Sequence, residues 1–283
     1  MAYFSYKDVS LFFSTGANVA TVPTANNKTT VYANNAQFSY TPNISQQRFL
    51  GQDVDKSNFG LAGSPNATLS FTCYITGSGS GNFNPTDYTG DIGNIGATVT
   101  IGDLDDGIRL SGLFLNSYSF SLTPYQTVAM QCDFAVLNPV TTTGTGSRIT
   151  TGDNNPASVD FGVFGHGAYS TVGGINAQQG NVEAVQYQYT AQRQPIYQIG
   201  SFFLSSCELV SEEHSISVTS ENIQNLVQIS GNDYGSTTIE VKNSSGNAVA
   251  PTITVDGRVT AQNISASAGG LARGSISISQ PLK

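Results

Sequence analysis

Gln186-Tyr-Gln-Tyr-Thr190 alternates polar and aromatic side chains, and Gln37-Phe-Ser-Tyr-Thr41 shows the same pattern 149 positions earlier. Alternation with period 2 sends one set of side chains into a core and the other to the opposite face, so both runs read as β-strands. Nine residues separate each run from a glycine, Gly51 or Gly200, and an arginine stands in each interval (Arg48, Arg193). A second correspondence lies further on. Gly112 precedes Asn116-Ser-Tyr-Ser-Phe-Ser121, and Gly257 precedes Gln262-Asn-Ile-Ser-Ala-Ser267, at an offset of 146. Two matches at nearly one offset point to an internal duplication.

The same alternation runs through Thr68–Ile75, Val128–Val136, His214–Thr219, Thr237–Lys242 and Gly274–Ser279. Turn clusters such as Gly77-Ser-Gly-Ser-Gly81 and Ser244-Ser-Gly-Asn247 separate the runs. Helical signal is confined to Glu221–Ile229, where Ser220 can cap and Ile223, Leu226 and Val227 share a face. The expected class is all-β with one or two short helices. Asn138–Pro156 is rich in Thr, Gly, Asn and Asp, which marks a connection. The expected units are therefore residues 1–140 and 157–283, with 141–156 as linker.

Only 11% of the 283 residues are charged, against about 25% in an ordinary soluble domain. The net charge is −8, Trp is absent, and Ser, Thr, Asn and Gln fill the gap left by the charges. Such a chain is neither a Glu/Lys-rich helical protein nor a nucleic-acid binder driven by overall basic charge. Residues 1–140 carry 5 basic and 9 acidic groups, and residues 141–283 carry 6 and 10, so the halves are equally acidic. No apolar run reaches the length of a membrane-spanning helix. Met1–Asp8 carries Lys7 and Asp8 and no apolar signal core follows, so the expectation is an unprocessed protein folded in a cytosol.

Cys73, Cys132 and Cys207 lack the paired spacing of a zinc site, and Cys73 and Cys132 fall in alternating runs as small buried hydrophobes. Sequons at Asn27, Asn43, Asn66, Asn243 and Asn263 are what a chain this rich in Asn, Ser and Thr produces by chance. His166 and His214 have no Ser or Cys partner at a catalytic spacing. Asp103-Leu-Asp-Asp-Gly107 lacks the spacing and terminal Glu of a calcium loop and reads as a solvated turn. Gly77–Gly81 lacks the Lys and helix of a phosphate cradle and reads as a hairpin tip. Tyr40, Tyr118, Tyr187 and Tyr189 sit in alternating strands as ordinary strand formers. No catalytic, cofactor-binding or metal-ligating residue is assigned, and the expectation is a protein that is not an enzyme.

Several strands, Thr68–Ile75 and Asn116–Leu122 among them, carry no charge at all. Monomers usually blunt sheet edges with Lys or Pro, so unprotected strands suit a protein whose edges pair with copies of itself. Closing a barrel from several chains removes the edges.

Gln186-Tyr-Gln-Tyr-Thr-Ala-Gln-Arg-Gln-Pro-Ile-Tyr-Gln-Ile-Gly200 resembles a segment of bacteriophage tail tube proteins, and Asn116–Val136 and Gln262–Ser279 resemble the closing hairpin of the same domain. The resemblance covers parts of both halves. It implies tandem tube-type β-sandwich or half-barrel domains whose sheets join around a ring, and stacked rings that conduct DNA. The family usually forms six-unit rings, so two fused units imply a trimeric ring with pseudo-sixfold symmetry. It also implies a structural virion protein of the tail, assembled in the host cytoplasm. Its partners would be its own copies and other tail proteins, with phage DNA passing through non-specifically. The first half departs from the pattern: Phe49-Leu50 stands where Pro195-Ile-Tyr197 is expected, and the region matching Glu221–Ile229 is Gly-rich. A weakly negative lumen would let DNA slide rather than grip it. Another tail or neck ring component (a distal tail, terminator or head–tail joining protein) and a glycan-binding adhesin module are the other readings.

Overall fold

The architecture hangs on one long strand that belongs to two layers. A computed structural model describes residues 9–15, 28–46, 59–61, 66–75, 83–89, 95–101, 107–124, 126–138, 141–142, 182–201, 203–221, 234–242 and 248–282. In chain order the strands are β1 (Val9–Thr15), β2 (Lys28–Val31), β3 (Ala33–Thr41), β4 (Ile44–Gln46), β5 (Phe59–Leu61), β6 (Asn66–Tyr74), β7 (Ile95–Ile101) and β8 (Gly107–Leu122). They continue with β9 (Ala129–Val136), β10 (Thr141–Thr142), β11 (Val182–Tyr197), β12 (Leu204–Ser220), β13 (Tyr234–Lys242), β14 (Ala248–Ser265) and β15 (Arg273–Pro281). The chain is all-β, as its alternation indicates. Among the described residues the only helical turn is a 3₁₀ turn, Pro85–Tyr88, capped by the Asn84 side chain on the Thr86 N–H. Of the helix expected at Glu221–Ile229, residues 222–229 lie outside the described residues, as do residues 102–106, Gly77–Gly81 and His166.

Among the described residues thirteen strands form one antiparallel network, and β4–β5 make a separate ladder. β8 is the fork. Its first half, Gly107–Leu113, pairs with β7, and β7 leads on to β1 and β2. Its second half pairs with β9 on one side (Leu113–Phe120) and with β11 on the other (Ser117–Leu122). The change of partner follows from two irregularities. Gly112 has φ +63 and is skipped in the β7 ladder, and Asn116 is skipped in the β9 ladder. Only glycine holds that positive φ at ease, and a Cβ there would press on the Asn138 side chain.

The β1 layer folds back over β6 and β9. Phe13 on β1 lies 5.6 Å from Phe71 on β6 and 5.0 Å from Phe134 on β9, ring centre to ring centre, with Phe83 and Tyr88 closing the cluster. Rings this close and tilted bury large apolar area in a favourable geometry. Cys73 and Cys132 are buried free thiols within this core. Burial, and then the neighbouring Cys73 and Asp133, push the Cys132 thiol well above its ordinary pKa.

The second set of strands reproduces the pairing of the first. β3-β6-β9-β8-β7 is the order in one, and β11-β12-β15-β14-β13 in the other. Two of the bulges coincide as well, whereas the Gly112 bulge between β7 and β8 has no counterpart at the matching point between β13 and β14. Asn34 is skipped between β3 and β6, and Glu183 between β11 and β12, 149 positions on. Asn116 is skipped between β8 and β9, and Thr260 between β14 and β15, 144 positions on. With those shifts the facing residues transfer in full: Ala36, Phe71, Cys132 and Tyr118 correspond to Val185, Val218, Ile276 and Gln262. The offset of 146 expected from sequence is therefore two residues too long in β14. A shift of two leaves every side chain on its own face, so alternation alone cannot detect it. The interval expected as linker begins with β10, which pairs with β8, and residues 143–156 lie outside the described residues.

Candidate functional site

The strands β3, β6, β9, β8, β11, β12, β15 and β14 follow one another in a continuous sheet. One face is apolar and buried. Leu69, Phe71, Cys132, Phe134, Tyr118, Phe120, Tyr187, Tyr189, Ile216, Val218, Ile276 and Ile278 lie on it. The residues between them necessarily face the other way. They are Ser, Thr, Gln, Asn and Ala almost throughout, such as Gln37 and Ser39 on β3, Ser70 on β6, Thr219 on β12 and Asn263 on β14.

A groove of about 500 Å³ opens on this polar face. Thr72, Gln131, Ser119, Gln188, Ser217 and Ser277 line it, one from each of six adjacent strands, and none of the described residues lining it is charged. The two nearby acids are tied to serines of the same face. Asp133 accepts from Ser117 Oγ at 3.2 Å, and Glu213 accepts from Ser279 Oγ. Arg273 and Glu183, 3.0 Å apart, form an ion pair at one end of the sheet. The surface thus offers hydroxyls and amides with little net field, which favours hydrated contact over tight capture of an ion.

Behind the face, β8 and β11 meet at a seam of tyrosines. Tyr118 faces Tyr189 across the ladder, and Phe120 faces Tyr187. The Tyr118 and Tyr187 hydroxyls lie 2.9 Å apart, Tyr187 Oη is 2.6 Å from His214 Nδ1, and Tyr189 Oη donates to Glu212 at 2.9 Å. Buried hydroxyls need such partners. Burial raises the pKa of both Tyr118 and Tyr187. It lowers that of His214, with Glu212 partly opposing. The β11–β12 hairpin also reaches over the first half. Arg193 Nε donates to the Leu115 carbonyl at 3.3 Å, Tyr197 Oη donates to the Leu137 carbonyl at 2.9 Å, and the Leu204 N–H donates to Asn138 Oδ1 at 2.8 Å.

His214 therefore lies in the seam, in contact with the ring of Tyr189 as well as the hydroxyl of Tyr187. The sequence shows these tyrosines only as strand formers and does not reveal the cluster; it shows uncharged strands, but not that six of them line one groove. The face was detectable in principle, because the outward positions of successive strands are nearly free of charge. Asp103, Asp105 and Asp106 lie outside the described residues. Among the described residues no group of three or more His, Cys, Asp or Glu side chains is placed to hold a metal ion. No helix among them is long and apolar enough to cross a membrane. No protein-family model matches the chain, and no curated protein matches it.

Proposed function

We propose that the chain is a structural, non-enzymatic ring subunit of the tail-tube type, with two tandem tube-like units, stacking in a virion tail to form a channel for DNA. The observation that carries the reading is the sheet that repeats one strand order twice and presents a nearly uncharged polar face. Eight strands from each of three chains would close a barrel of about 24 strands. At about 4.8 Å per strand and ordinary tilt, such a barrel is roughly 35–50 Å across. Barrels of that size hold an aqueous channel rather than a packed interior. A polar wall with so few charges, its acids tied to serines, supports sliding passage of a polyanion, because it neither pairs with phosphates nor repels them strongly. Ile199 and Phe203, exposed at the β11–β12 tip, supply apolar surface for contact between stacked rings.

Negative-stain microscopy of the purified full-length protein tests the reading. Rings or tubes of roughly that width are expected. Persistent monomers across salt and protein concentration would refute it. A neck or tail-tip ring would use the same sheet, and copy number in particles separates that role, one ring against many.

A further inference from the structure

The strands at the two ends of the long sheet are counterparts of the two strands that the internal seam already joins. β3 corresponds to β11, and β14 corresponds to β8. Among the described residues β3 is laddered on one side, to β6, and β14 beyond Arg258 is laddered on one side, to β15. We propose that β14 of one copy pairs antiparallel with β3 of a second copy in the register of the internal β8–β11 seam. This sets Ile264 opposite Phe38, and Gln262 opposite Tyr40, of the neighbouring chain. The inference rests on the ring-building reading and specifies its contact.

The register follows from the bulges without adjustment. They fix the shift at 149 between β3 and β11 and at 144 between β8 and β14. Tyr189 opposite Tyr118 becomes Tyr40 opposite Gln262. Tyr187 opposite Phe120 becomes Phe38 opposite Ile264, and Val185 opposite Leu122 becomes Ala36 opposite Ala266. Exposure agrees. Tyr189 and Phe120 are 0% and 4% exposed inside the chain, whereas Tyr40 and Ile264 are 42% and 58% exposed. These apolar side chains sit on the core-facing side of two edges that are laddered on one side only among the described residues, where a second copy would cover them.

Neither stretch has edge protection. Asn35–Thr41 and Ala261–Ser267 contain no charged residue and no proline. The two edges are different surfaces of one chain, so the contact is head-to-tail and generates a ring or an open filament rather than a two-fold dimer. It also continues the polar face without a break, because Ser39 and Asn263 become facing neighbours on that side.

Cysteine cross-linking tests the register. In full-length Cys207→Ser protein, Tyr40→Cys with Gln262→Cys is one facing pair, and Ser39→Cys with Asn263→Cys is another. Facing pairs alternate between Cα separations of about 4.5 and 5.5 Å, so one pair of each kind is included. Ser39→Cys with Ser265→Cys is the shifted control. After mild oxidation a facing pair should give a ladder of covalent multimers on a non-reducing gel, and the control none. Mixing the Ser39→Cys and Asn263→Cys single variants should give covalent dimers and nothing larger. Rings by microscopy with cross-links only in the shifted pair, or in neither facing pair, or closed within one chain, would overturn the register and leave the ring reading standing. Wild-type protein that stays monomeric at every concentration would overturn both.

Discussion

The hydroxyl of Tyr118 on β8 lies 2.9 Å from that of Tyr187 on β11, in a seam whose tyrosines are almost fully buried. Tyr187 is the centre of the relay, since its oxygen also meets His214 Nδ1 at 2.6 Å. Tyr118→Phe removes one end and leaves Tyr187 bonded to His214, an expected loss of about 0.5–1.5 kcal/mol. Tyr187→Phe strands the Tyr118 hydroxyl in the core and removes the histidine's partner, so it should cost more, about 1–3 kcal/mol. Urea midpoints of the two variants check the ranking, and equal midpoints would contradict it.

Acid sensitivity should centre on the same cluster. Burial holds the His214 pKa below its ordinary 6.5, although Glu212 opposes this. The unfolded chain therefore takes up the proton first as pH falls. The histidine's contribution is present in full above about 6.5 and is lost as pH drops through that value toward the folded one. His214→Gln should flatten the acid limb of stability against pH below neutrality. A wild-type advantage over the variant that grows as pH falls instead would reverse the sign and exclude this account.

Alkali acts on the tyrosines in the opposite direction. Burial, the largest cause, raises Tyr88 to about 12, with Asp87 adding and a hydrogen bond to Thr29 opposing. Tyr118 and Tyr187 are raised as well. An unfolded tyrosine ionises near 10, so stability is complete below that pH and declines as pH rises above it. The ultraviolet signal of tyrosinate should appear in two steps, an early one from exposed rings and a late one coincident with unfolding. A single step near 10 with the fold intact would rule out the buried assignment.

The strands were legible because alternation is a local property. Thr68–Ile75 and Gly274–Ser279 lie almost wholly within β6 and β15, the strands that cover them. The match of Gln37–Thr41 to Gln186–Thr190 was legible too, and their strand registers agree with it. The fork in β8 was not. It depends on which distant strand pairs with each half, and on single skipped residues at Gly112 and Asn116 that no alternation marks. The seam escaped for the same reason. Tyr118 and Tyr187 are 69 positions apart, and nothing in either run names the other.

Charge on the polar face should change what passes over it and not whether the chain folds. Ser119 and Ser217 line the groove and point away from the core. Ser119→Lys with Ser217→Lys should leave thermal stability within about 0.5 kcal/mol of wild type per site. Assembled material bearing the lysines should retain duplex DNA at low salt and release it as salt rises, through counterion release. Wild-type assemblies should retain none. Equal retention by both would argue against an inward-facing groove.

An added edge charge tests the assembly surface without disturbing the core. Ile264 is 58% exposed on β14 in a single chain, so Ile264→Lys removes little buried apolar area and should shift monomer stability by no more than about 0.5 kcal/mol. In a paired edge the same lysine would be driven against the ring of Phe38 and desolvated without a partner, which is far more costly. The variant should melt like wild type and fail to form rings. Leu271→Lys, at an even more exposed apolar position in the β14–β15 turn, should still form them. Light scattering across a concentration series reads both. If Ile264→Lys assembles as wild type does, the β14 edge is not where copies meet.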